Sequence, residues 1–130
     1  MPHEYVEKLK RAYAALNRRD YDEAISIAHP DIEYLPAGAQ PAYRGIASFR
    51  KWMEPDAFEE QLIEPLEFVP SGKKILVKHR VRARGAGSGI EMEIETWGVW
   101  TFDEAGLAIR IEAYLDHEAA KAREAAGVSE

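Results

Sequence analysis

The stretch that decides the fold is Ile75-Leu76-Val77-Lys78-His79-Arg80-Val81-Arg82-Ala83-Arg84, followed by Gly85-Ala86-Gly87-Ser88-Gly89. Ile75, Val77, His79, Val81 and Ala83 fall on one face of an extended strand, and Lys78, Arg80, Arg82 and Arg84 on the other. Successive side chains leave opposite sides of a sheet, so this period of two marks a half-buried antiparallel strand. The basic quartet is thereby accounted for as one solvated strand face. The glycine run leads into another extended stretch rather than a helix, so it is a hairpin and not a phosphate-cradling loop.

Downstream, Ile90 to Phe102 reads as a second long strand, Asp103 to Gly106 as a tight turn, and Leu107 to Leu115 as the last strand. Upstream, Gln61-Leu62-Ile63-Glu64 and Leu66-Glu67-Phe68-Val69 are two pieces of one strand, interrupted at Pro65 and ended by Pro70-Ser71-Gly72. Before Glu59 the period is helical. Val6, Leu9, Tyr13 and Leu16 share one face of a helix running from Pro2 to Asn17. Asp20, with Glu23 three residues on, starts a short second helix that carries Ala24, Ile25 and Ala28 and stops before Pro30. A strand at Asp31 to Leu35, a loop from Pro36 to Gly45 and a third helix from Ile46 to Met53 follow, with Pro55 breaking the last. The tail from Glu118 to Ala126 is a short helix ended by Gly127. Helices first and long strands after predict an α+β fold, a meander with the helices gathered on one face of the sheet.

A chain of 130 residues has room for one domain, residues 1–130, and for one core. The absence of cysteine removes disulfides, thiolate nucleophiles and cysteine-ligated zinc, and it fits a reducing compartment. A formal net charge of −6 has the wrong sign for a partner of phosphate backbones, so nucleic acid is not an expected partner. No apolar run reaches the roughly 20 residues of a membrane span, and MPHEYVEKLK lacks the apolar core of a signal peptide. The expected location is therefore the cytoplasm.

In this order the motifs resemble the SnoaL-like branch of the nuclear transport factor 2-like superfamily, which also holds ketosteroid isomerases and limonene epoxide hydrolases. The residues that carry the likeness are His29-Pro30-Asp31-Ile32-Glu33, Tyr43-Arg44-Gly45, and Arg82-Ala83-Arg84-Gly85-Ala86-Gly87-Ser88-Gly89. Val99-Trp100-Thr101-Phe102, Arg110-Ile111-Glu112-Ala113-Tyr114-Leu115-Asp116 and Glu124-Ala125-Ala126-Gly127 complete it. The resemblance implies a cone-shaped, strongly curved antiparallel sheet packed on N-terminal helices, a cystatin-like α+β barrel with a pocket open at one end. It also implies a homodimer through the outer face of the sheet, with Trp100 and Phe102 on that face. On the last strand, Ile109, Ile111, Ala113 and Leu115 would point into the cavity, and Arg110, Glu112, Tyr114 and Asp116 away from it.

The same resemblance speaks to chemistry. Epoxide hydrolases carry a catalytic carboxylate where this chain has Ala113, and ketosteroid isomerases carry one near Tyr34 or Leu35; both are missing here. Tyr13 falls close to the isomerases' substrate-binding tyrosine, and Glu95 close to their protonated acid. Two such donors must converge on one oxyanion in a dry site to be effective. Periodicity alone puts Glu91, Glu93 and Glu95 in solvent, whereas a bulge before Trp97 would turn Glu95 inward.

From the residues themselves, His79 comes first. It stands between Val77 and Val81 on the strand face that would line the cavity, where an imidazole can serve as a general acid or base. The other reading is a neutral core histidine with one hydrogen-bonded neighbour. Tyr34, Trp52, Phe58 and Trp97, with Leu16, are candidate walls for an aromatic or polycyclic ligand, or plain core. His3, His29 and His117 lie too scattered to suggest a metal site, and no cofactor is expected. Arg44 reads as a brace for the loop after the first strand, with an anionic ligand as the alternative.

Two functions remain open: an acid–base isomerase, cyclase or hydrolase that uses His79, Tyr13, Tyr34 and Glu95, or a non-catalytic metabolite-binding dimer. A histidine touching a carboxylate inside the cavity favours the first; a lone inward histidine among aromatics favours the second. A protein-interaction scaffold is a third possibility, and it would need an exposed apolar groove.

Overall fold

The computed structural model describes residues 2–37, 41–53 and 58–128. The alternation at Ile75 to Arg84 is realised in strand β4 (Lys74–Gly85), which pairs antiparallel with β3 (Phe58–Ser71) on one side and β5 (Glu91–Phe102) on the other. The last strand, β6 (Ala108–Leu115), pairs antiparallel with β5. Beyond it lie β1 (Ala28–Leu35) and the two-residue β2 (Tyr43–Arg44), giving the order β2-β1-β6-β5-β4-β3. The sheet is open, with β2 and β3 as its edges. Helices α1 (Pro2–Asn17), α2 (Tyr21–Ile25) and α3 (Ile46–Met53) precede the long strands, and a 3-10 turn (Asp116–Glu118) leads into α4 (Ala119–Ala126).

The helix periods hold where they are longest. α1 buries Leu9 and Tyr13, and Tyr5 stacks on Phe102 with ring centroids 4.5 Å apart. The Asp20 side chain accepts from Glu23 N–H at 3.2 Å, which caps α2. Asn17, at the end of α1, donates to Ile63 C=O at 2.9 Å and accepts from Ile63 N–H at 2.8 Å. These two bonds occupy the main-chain groups of an edge strand that would otherwise face water. The register of β3 shifts between Pro65 and Glu67, as an interrupted strand requires.

Several expectations are corrected. The sheet is mixed, because β1 runs parallel to β6, and a distant strand can join a meander's far edge through such a crossover. β1 begins at Ala28, so His29 and Pro30 lie in the strand and the second helix ends at Ile25. Pro30 is tolerated because the β1–β6 register shifts between Ala28 and Glu33. Tyr43 and Arg44, expected in a loop, pair with Tyr34 and Glu33. The helices do not all share one face. α4 covers the outer face, where Ala122 and Ala126 pack on Leu76, Trp97 and Val99.

Trp100 and Phe102, expected on the outer face, are on the inner one, in the core against α1. The pairing of Trp100 with Ile75 on β4 and with Ile111 on β6 fixes that parity. Ile109, expected inside, is 37% exposed; the β5–β6 register slips between Thr101 and Phe102 and puts Ala108 in the core instead. The outer surface of β3, β4 and β5 away from α4 is a mesh of ion pairs. Arg80 reaches Glu64, Glu93 and Glu95, Lys78 reaches Glu95 at 3.2 Å, and Arg82 reaches Glu93 at 3.3 Å. Among the described residues, no helix is long and apolar enough to cross a membrane.

Candidate functional site

Between α1, α3 and the inner face of the sheet lies a cavity of about 260 Å³. Its walls are mostly apolar and aromatic, and no Asp or Glu side chain lines it among the described residues. Ile94 and Leu115, 47% and 39% exposed, stand at its mouth. Tyr34 and Trp52 form one wall, their ring centroids 4.0 Å apart, and Phe49 stacks on Trp52 at 5.9 Å. β1 supplies the tyrosine and α3 the two other rings.

The polar end is built by three elements. His79 projects inward from β4 because its position continues the Ile75, Val77, Val81 face, and it is 9% exposed. Its Nε2 lies 2.6 Å from the hydroxyl of Tyr13 on α1, and its Nδ1 lies 3.2 Å from Thr96 Oγ1 on β5. Trp100 Nε1–H donates to the same Tyr13 oxygen at 3.0 Å. Gly98 leaves room for the ring: a Cβ there would stand 2.9 Å from His79 Cε1 and 3.3 Å from Nε2. No sequence periodicity announces that clearance.

Both titratable members of this chain are neutral near pH 7. Burial pushes the His79 imidazole down to about 4, against an opposing hydrogen bond to the Thr96 backbone. Burial raises the Tyr13 phenol well above its ordinary value; the Trp100 hydrogen bond opposes the rise and nearby Tyr34 adds to it. Burial also raises Tyr34, helped by Tyr43. The arrangement therefore offers hydrogen bonds in an apolar, uncharged space, where each is electrostatically stronger than in water.

The expected site residues divide accordingly. Tyr13 and His79 meet, while Tyr34 lines the cavity without a hydrogen bond to that pair among the described residues. Leu16, Trp52, Val81, Ile111, Ala113 and Leu115 line the cavity. Val77 faces inward but is fully buried in the core beside it. Trp97 borders the cavity, yet its indole lies in the outer cluster, 5.2 Å from Lys78 Nζ and 5.8 Å from the Arg123 guanidinium. Glu95 is on the outer face, paired with Lys78 and Arg80, so it cannot reach the Tyr13 hydroxyl side. No bulge precedes Trp97, and the parity of β5 stands. The side chain of Phe58 lies outside the described residues. Sequence reasoning missed Thr96, Trp100, Gly98 and Gln61 as cavity residues; the inward parity of Thr96, Gly98 and Trp100 on β5 was the available signal.

The chain belongs to the SnoaL-like domain family, whose pattern matches residues 9–111. Its fold is the nuclear transport factor 2-like cone, with the sheet left open. The structure is similar to TerC, crystallised with polyporic acid, at 22% identity and a TM-score of 0.75, covering 90% of this chain and 95% of TerC. It is similar to SalBIII, an epoxide hydrolase/cyclase-like enzyme with a role in pyran ring formation in salinomycin, at 16% identity and a TM-score of 0.79, covering 87% and 91%. RV0760c of Mycobacterium tuberculosis, in complex with estradiol-17beta-hemisuccinate, matches at 14% identity and a TM-score of 0.75, covering 85% and 92%. No curated protein sequence matches the chain.

Proposed function

We propose that this protein binds a small, uncharged, largely apolar ring compound that carries at least one oxygen. The observation that carries this reading is the cavity itself: aromatic walls of Tyr34 and Trp52 at one side, and a neutral Tyr13–His79 pair as the polar contact. A buried charge on the ligand would meet no Asp, Glu, Lys or Arg side chain among the described residues that line the cavity, and an unpaired charge in such a space is strongly disfavoured. Apolar walls with a few convergent polar groups are the usual form of a small-molecule site. The polyporic acid seen with TerC and the estradiol-17beta-hemisuccinate seen with RV0760c support binding of a small organic molecule, while the absence of charge on this protein's ligand is argued from its own cavity alone. Native mass spectrometry of the purified protein, with tryptophan fluorescence titrations of bicyclic aromatics, tests it. A co-purifying mass or saturable quenching is expected; the absence of both sinks it.

A second reading is acid–base catalysis of the isomerase, cyclase or hydrolase kind, favoured by the 2.6 Å contact between imidazole and phenol. Binding is preferred because no carboxylate lines the cavity among the described residues to orient or charge the histidine. Under the catalytic reading, His79→Gln removes turnover of a ring substrate and leaves its binding within a few-fold; unchanged turnover ends that role.

The working form we propose is a homodimer through the outer face of the sheet. Its support is that the outer face carries both charge signs, in Arg80, Arg82, Glu64, Glu93 and Glu95, so a second copy turned by a two-fold rotation would have opposite charges to meet. Sedimentation would then give twice the 14.7 kDa chain mass at low salt and a shift toward one chain at high salt. A single-chain mass at every salt concentration removes the dimer.

A further inference from the structure

Trp100 Nε1 carries a proton and no lone pair, so its 3.0 Å contact occupies one acceptor position of the Tyr13 oxygen. The phenol has one proton of its own to place. His79 Nε2, 2.6 Å away, is its acceptor within this chain of contacts; the walls around it are otherwise mostly apolar. If Nε2 carried the proton instead, the Tyr13 proton would be turned into the cavity without a partner, at the cost of an unmade buried hydrogen bond. With Nε2 accepting, the neutral imidazole holds its proton on Nδ1, where Thr96 Oγ1 accepts it at 3.2 Å. Every donor from Trp100 to the imidazole is then used, and the proton left to place is that of the half-buried Thr96 hydroxyl instead of the buried Tyr13 phenol.

We propose that this chain fixes His79 as its Nδ1–H tautomer, so that Tyr13 meets a ligand as a hydrogen-bond acceptor, and that the matching ligand presents a ring hydroxyl, phenolic or enolic, rather than a ketone. The inference rests on the reading of the cavity as a small-molecule site. It also reverses the donor role that resemblance to the isomerases implies for Tyr13. A ketone has no proton to give, so to bind at this point it must draw the Tyr13 proton away from Nε2 and force the imidazole into the Nε2–H form. Both forms carry the same number of protons and no net charge, and the difference is which ligand oxygen each suits.

The test uses the whole chain labelled with 15N histidine, whose long-range 1H–15N spectra distinguish the two tautomers. At pH 7 the His79 signals should be those of Nδ1–H; an Nε2–H pattern overturns the proposal. Fluorescence titrations with 2-naphthol and 1-tetralone then compare a hydroxyl with a ketone on similar bicyclic bodies. The hydroxyl compound should bind about tenfold more tightly, the worth of one good hydrogen bond. Saturation with 2-naphthol should leave Nδ1–H in place, whereas saturation with 1-tetralone should convert it to Nε2–H. Tyr13→Phe should abolish the preference while keeping Nδ1–H through Thr96. Equal or reversed affinities in the unmodified protein overturn the ligand assignment. If neither compound binds, the small-molecule reading falls with the ligand assignment, and the free-protein tautomer is still decided by its own spectrum.

Discussion

Tyr13 and His79 are 66 positions apart in the chain, yet the phenol oxygen of one lies 2.6 Å from Nε2 of the other. The contact joins the C-terminal part of the first helix to the middle of the fourth strand, at the polar end of an otherwise apolar cavity. It makes the site electrically quiet, because burial disfavours the charged form of both rings.

The depressed imidazole predicts how stability follows pH. In the unfolded chain His79 binds a proton below about 6.5, while in the folded protein it does so only below about 4. Between these values the unfolded state holds more protons, so stability is fully present above about 6.5 and is lost as pH falls toward 4. The full swing is on the order of 3 kcal/mol. Urea unfolding of the wild type and of His79→Leu, from pH 7.5 to 4.5, measures it. The wild-type curve should fall more steeply, and parallel curves would contradict the burial of a neutral ring.

Gly98 predicts a packing effect with a defined partner. An alanine methyl 2.9 Å from His79 Cε1 must displace the ring, so Gly98→Ala should cost about 1–3 kcal/mol. Much of that cost should vanish in a His79→Ala background, a coupling that a double-mutant cycle reads directly. Additive losses would show that the ring is not what the methyl strikes.

Asn17 holds both main-chain groups of Ile63 on the edge strand. Asn17→Ala leaves them without those partners and should cost about 1–3 kcal/mol by denaturant midpoint. Asn17→Asp keeps the shape, loses the donor and sets a carboxylate against the Ile63 carbonyl, so it should be no more stable than the alanine variant. Hydrogen exchange of the Ile63 amide should quicken in Asn17→Ala, whereas Asn17→Asp keeps an oxygen that accepts from that amide.

Glu95 predicts a null effect on the cavity. Its ion pairs with Lys78 and Arg80 are on the far side of the sheet, so Glu95→Gln should leave affinity for cavity ligands unchanged. Its effect on stability should stay within about 1 kcal/mol, as for other partly exposed ion pairs. A tenfold loss of 2-naphthol affinity would mean that the carboxyl acts inside after all.

How much was legible varies by residue. The helix from Pro2 to Asn17 and the alternation around His79 are local patterns, and both are found where the residues place them. Local pattern starts the first strand at Asp31, because Pro30 reads as a terminator, and only a register shift against a parallel neighbour makes room for it. Ile109 was expected inside because strict alternation cannot see a one-residue slip. Trp100 and Phe102 read as outer-face residues by alternation, with the likeness explaining their apolarity by a dimer, and the cross-strand register that sets Trp100 opposite Ile75 places them inside. Thr96 and Gly98 carried no chemistry conspicuous enough to draw notice until the imidazole lay across them.

The amino-acid order alone determined which elements form and that the imidazole turns inward while Glu91, Glu93 and Glu95 turn outward, because a two-residue period is a property of each strand by itself. The tertiary structure decided the rest: which helix covers which face, and the meeting of Tyr13, His79 and Trp100 across separations of 66 and 87 residues. Those contacts depend on strand register and on where a helix lands, and neither is written in any local run of residues.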